Sequence, residues 1–139
     1  MKIISENDTM LLLRFDKREE IISELAVFCK NQNIPAASFT ALGAASEVTL
    51  SFYNLPEKRY KDHSLQEHTE IVSVTGDVAR MKDETIIHAH GVFAKQDLTT
   101  IGGHIKKLVV SATCEITLWK LGSKVERQFD PETGLNLLT

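Results

Sequence analysis

The sequence predicts an α+β fold, a mostly antiparallel β-sheet with helical cover, on three observations. One segment repeats apolar residues at helical spacing. Six others are rich in β-branched or aromatic residues, with turn residues between them. Helices do not alternate with these strands, as a parallel doubly wound sheet would require. With 139 residues, the chain reads as a single domain over 1–139, long enough to bury a core without disulfides or a metal.

The helix is expected near residues 17–32. Asp16-Lys17-Arg18-Glu19 has the form of a capping box, and Ile21, Ile22, Leu25, Phe28 and Cys29 recur at helical spacing. Asn33 and Pro35 should close it near Gln32. Strands are expected over Met10 to Phe15, Ala37 to Leu42, Val48 to Tyr53, Ile71 to Ala79, Ile86 to Ala94 and Leu108 to Trp119. Gly43, Asn54 to Pro56, Gly76, Lys95 to Asp97 and Gly122 to Ser123 read as turns, bulges or breaks. The tail from Phe129 to Thr139 keeps apolar residues, so it either packs back or frays.

Composition narrows the function. Hydrophobic residues make up 42% and charged residues 25%, ordinary for a globular protein. The start, Met1-Lys2-Ile3-Ile4-Ser5-Glu6, reaches polar residues too soon for the apolar core of a signal peptide. No run approaches the roughly 18 apolar residues of a membrane span, so a cytoplasmic protein is expected. Cys29 and Cys114 have no metal-type spacing and read as reduced, buried small hydrophobes. Net charge is −3, and the densest basic patch is only Lys58-Arg59-Tyr60-Lys61. Nucleic-acid binding draws most of its affinity from phosphate neutralisation, so the isolated chain is not expected to take DNA as a partner.

His88-Ala89-His90 lies in an expected strand, where side chains two apart share a face. Thirteen residues separate His90 from His104, which follows Gly102-Gly103. A long hairpin with its tip near Asp97 would set His104 opposite His90. Three imidazoles would then converge, the ligand set of a catalytic-type zinc site that nickel, cobalt or iron can also use. Isolated strand histidines are commonly just surface residues, and a polar network without metal is the competing reading. Glu115, in an apolar strand, is either on its solvent face or an acid/base or orienting partner near the histidines. His63 and His68 sit in a polar stretch and are expected to be exposed.

These residues resemble the plants-and-prokaryotes conserved (PPC) domain nearly end to end. The landmarks are the helix after Leu13-Arg14-Phe15, Ile34 to Ala44, Glu70 to Ala79, His88-Ala89-His90, Gly102-Gly103-His104 and Ala112-Thr113-Cys114-Glu115. The resemblance implies a compact, mostly antiparallel sheet, usually assembled as a homotrimer, with His88, His90 and His104 as the matching histidines. It also implies a fold similar to acetolactate decarboxylase, which holds zinc through an HxH pair and a third histidine. Plant members join the domain to AT-hooks, absent from this chain. They also carry a Gly-Arg-Phe-Glu-Ile-Leu partner-binding segment, of which only Glu70-Ile71 remains here. Two functions follow: a homotrimer binding a divalent metal, zinc first, or a small ligand; or a DNA-associated or regulatory protein in which the domain mediates assembly.

Overall fold

Two long strands organise the molecule, whose computed structural model describes residues 1–139. The elements are β1 Lys2–Glu6, β2 Met10–Asp16, α1 Ile21–Asn31, β3 Ala37–Asn54, β4 Arg59–Leu65, β5 Thr69–Met81, β6 Glu84–Ala94, β7 Thr100–Lys120, β8 Arg127–Asp130 and β9 Leu135–Leu138. Seven strands form one sheet in the order β1-β2-β7-β6-β5-β3-β4, and β8 and β9 form a separate hairpin. All strand pairs are antiparallel. Because β7 also pairs with β3, the strands β3, β5, β6 and β7 close on one another. Closure leaves only β1 and β4 as free edges, which reduces the unpaired backbone that invites aggregation.

β3 joins two expected strands into one. The break foreseen at Gly43 is a bulge in a continuous strand, where the register slips against both β5 and β7. Gly43 has φ +147°, and a Cβ there would stand 2.2 Å from the Thr113 carbonyl oxygen. Only glycine fits that approach, and the bulge bends β3 enough to serve two neighbours at once. At Gly76, by contrast, β5 runs unbroken, with Gly76 paired to both Ala89 and Phe39. Strands β1 and β4 escaped the sequence reading because their side chains are almost all exposed, so neither carries a buried apolar face that alternation would reveal.

The helical cover amounts to one eleven-residue helix, packed against β6 and β7. It starts four residues later than expected. Asp16 N–H does donate to Glu19 Oε2 at 2.7 Å, yet Arg18 lies at φ +74°, a left-handed step that no helix can pass through. The cap is Glu20, whose carboxylate accepts from the amides of Ile22 and Ser23, while Glu24 reaches back to Glu20 N–H. The end falls where the sequence placed it. Asn33 takes φ +53°, Ile34 N–H donates to Cys29 O and Asn33 N–H to Lys30 O, which is a Schellman closure with Asn at the left-handed position.

Ile21, Leu25, Phe28 and Cys29 of α1 join a 25-residue core with Leu11, Leu13 and Phe15 of β2 and the inward residues of β3, β5, β6 and β7. Both cysteines are free and buried, as expected, and burial pushes each thiol up to about 12. No helix is long and apolar enough to cross a membrane.

Candidate metal centre

Strand registers bring the three histidines together. β6 and β7 form the long hairpin expected, turning through residues 95–99, where Asp97 Oδ1 accepts from Thr99 N–H and its hydroxyl. His90 is thereby paired with His104, and Gly91 with Gly103. A Cβ on Gly102 would lie 2.8 Å from the Gly91 carbonyl oxygen, so this glycine admits the neighbouring strand's backbone rather than a ligand. His88 and His90 share a face of β6. Ring centroids stand 5.1 Å apart for His88 and His90, 5.2 Å for His88 and His104, and 5.4 Å for His90 and His104. One ligand-type nitrogen from each lies within 4.8 Å of the others.

The surroundings favour neutral rings at His104 and His90. Burial first, then His88 and His90 and the cations Lys106 and Arg127, hold the His104 imidazole down at about 4. Partial desolvation and then His88 also lower His90, although this residue remains exposed. His104 Nδ1 is buried with no hydrogen-bond partner in the chain. A buried ring nitrogen in that state takes its partner from outside the protein, a water or an ion.

Residues that the sequence reading did not assign complete the site. Tyr60 of β4 stacks on His104 with centroids 5.0 Å apart and planes 30° apart. Lys106 Nζ sits 5.7 Å over the Tyr60 ring and donates to Asp62 Oδ2 at 2.7 Å, while Ser51 Oγ donates to Asp62 Oδ1. Asp77 is the cross-strand partner of His88, its Oδ2 lying 3.4 Å from His88 Nδ1. Burial alone would raise the Asp77 carboxyl, but its contacts with His88 and Arg127 outweigh that and lower it. Arg127 comes from β8, on the C-terminal hairpin, which packs back rather than fraying. Tyr53 Oη donates to Thr133 O at 2.6 Å and Arg80 N–H to Val125 O at 2.9 Å. Between hairpin and histidines lies a cleft of about 300 Å³ whose walls include Tyr60, His88, His104, Arg127 and Leu135.

Glu115 lies elsewhere. It is exposed and paired across the sheet with Arg14 and Leu42, eleven residues along β7 from His104. At about 3.3 Å per residue that is roughly 35 Å of strand, so its solvent-face reading fits the geometry. His63 and His68 are exposed and outside the cluster.

Residues 4–122 match the Plants and Prokaryotes Conserved (PCC) domain. The chain belongs to this family. Among solved structures, the PCC domain here is similar to a metal-containing protein from Archaeoglobus fulgidus, with 30% identity, TM-score 0.89, and coverage of 100% of this chain and 99% of that one. It is also similar to a proposed DNA-binding protein from Bacteroides thetaiotaomicron, with 26% identity, TM-score 0.93, and coverage of 97% and 94%. Acetolactate decarboxylase from Bacillus subtilis shares the fold at 16% identity and TM-score 0.56; the match covers 84% of this chain and 54% of the enzyme. No protein of curated function matches the chain.

Proposed function

We propose that this PCC domain binds one divalent transition metal, zinc first, through His88, His90 and His104, and works as a cytoplasmic homotrimer. The observation that carries the reading is the convergence of three imidazoles, one of which has a buried ring nitrogen with no partner in the chain. The donor set suits the ion. A tetrahedral zinc with bonds of about 2.0–2.1 Å needs nitrogens about 3.4 Å apart, within reach of small side-chain rotations from the present spacing. A three-histidine set also leaves one position for water or a small ligand, which the cleft beside His88 and His104 would admit. The metal-containing Archaeoglobus relative supports the metal. Assembly is supported by apolar side chains on the outer sheet surfaces: Leu42, Phe52 and Val72 are 58%, 70% and 55% exposed, on faces that a solitary sheet would make polar.

Zinc and cobalt titration of the chain purified without a histidine tag tests this reading. One equivalent should bind, with cobalt giving the absorption of a tetrahedral nitrogen site; absence of uptake for both ions contradicts it.

A DNA-associated role is the second reading, favoured by the designation of the Bacteroides relative. Net charge −3 argues against strong binding by this chain alone.

A further inference from the structure

Beside Arg127 Nη2, two acceptors compete for its hydrogens, the Asp77 carboxylate and His88 Nδ1. Arg127 Nη2 lies 2.8 Å and 3.0 Å from the two Asp77 carboxylate oxygens and 3.2 Å from His88 Nδ1. Asp77 Oδ2 is itself 3.4 Å from His88 Nδ1. The Arg127 side chain is only 9% exposed, its Nη1 donates to Asn136 O at 2.9 Å, and the guanidinium is a permanent donor. Its Nη2 hydrogens can go to an anionic carboxylate or to a neutral imidazole. The charge-assisted bonds are the shorter and the stronger ones. With Arg127 committed to Asp77, His88 Nδ1 would be free to carry its own proton toward Asp77, leaving Nε2 its lone pair.

We propose that Asp77 and Arg127 act together as a positioning pair that sets the tautomer of His88, Asp77 holding the metal-competent form and Arg127 able to enforce the opposite one. The inference rests on the metal reading above only for its consequence. The tautomer itself is a property of the metal-free chain. Asp77 fixes the proton on Nδ1 and so presents Nε2, as carboxylates behind metal-binding histidines do. If its charge is removed, Arg127 loses its anion and turns Nη2–H to His88 Nδ1. The ring proton then moves through solvent to Nε2, which can no longer ligate. Arg127 is thus helpful beside Asp77 and obstructive without it. It is supplied by the C-terminal hairpin, beyond the residues 4–122 that match the family.

The two roles predict an inverted double-mutant result. Long-range proton–nitrogen NMR of the full-length, metal-free, nitrogen-labelled chain at about pH 8, where free imidazole is neutral, reads the tautomer directly. The wild type should show His88 protonated on Nδ1, Asp77→Asn should show it on Nε2, and Asp77→Asn with Arg127→Met should release that bias. Zinc titration should follow: Asp77→Asn weakens binding about 10–100-fold, Arg127→Met alone by less than about tenfold, and the double variant binds more tightly than Asp77→Asn. A merely structural pair would make the double variant no better than Asp77→Asn. His88 protonated on Nε2 in the wild type, or an unchanged tautomer in folded Asp77→Asn, overturns the proposal. If Asp77→Asn does not fold, the wild type and Arg127→Met decide, both being expected on Nδ1 and either on Nε2 contradicting it. If the wild type takes up no zinc, the metal reading fails while the NMR result still judges the pair.

Discussion

His90 on β6 stands directly opposite His104 on β7, their rings 5.4 Å apart and nearly perpendicular. That pair is set by one hairpin, and with His88 it makes a set of three converging imidazoles, of which His104 Nδ1 has no partner in the chain. Its two lowered imidazoles also give the site a defined response to acid.

Histidine ligands compete with protons, and His104, held down at about 4 mainly by its burial, stays neutral far into the acid range. Zinc should therefore remain bound at pH 6 and leave as pH approaches 4. Metal-free stability follows the same linkage. Between the ordinary histidine value of 6.5 and about 4, the unfolded chain takes up a proton at residue 104 that the folded chain refuses, so stability falls as pH drops through that window. Chemical denaturation of metal-free protein at pH 7 and pH 5 checks this, and His104→Asn should flatten the slope.

Gly43→Ala should destabilise the fold by at least about 1–3 kcal/mol, since the residue must hold a conformation open essentially to glycine and its Cβ would strike the Thr113 backbone. Urea denaturation measures it. A loss under about 0.5 kcal/mol would mean that the bulge relaxes without cost.

Much of this site was legible because antiparallel pairing is arithmetic. A hairpin centred near Asp97 pairs residues whose numbers sum to a constant, which places His90 against His104. The same reasoning applied to the tight turn at Lys82 and Asp83 would have found Asp77 opposite His88, but those polar residues were not read as a turn. Tyr60 was seen only as part of a basic patch, because stacking on His104 depends on β4, a strand with no buried face. Arg127 was out of reach for a different reason. Its place depends on the tail folding back, and Phe129 and Leu137 remain exposed after packing, so apolar content could not decide between docking and fraying. The helix start was misread because Asp16 and Glu19 do form a local box, and only the left-handed Arg18 shows that it caps a turn.

Three-fold assembly should be stable at micromolar concentration, covering exposed side chains such as Phe52 and Leu42. Light scattering or sedimentation should give three times the 15.6 kDa chain mass. A stable monomer would contradict the assembly and leave those residues unexplained.

Duplex DNA should bind weakly, with a dissociation constant above about 1 μM at physiological salt and a shallow salt slope, given the net charge of −3. Fluorescence anisotropy on random-sequence duplex measures both. Tighter binding would move the DNA-associated reading to first place.

Metal content tests the central claim most directly. Elemental analysis of tag-free wild type near neutral pH should find about one zinc, nickel or cobalt ion per chain after exposure to that metal, and His63→Ala should retain it. His104→Ala and the triple alanine variant of His88, His90 and His104 should hold none while remaining folded, since the core is built without the ion. A triple variant with the metal content of wild type, or a wild type that takes up none of the three metals, would contradict the account.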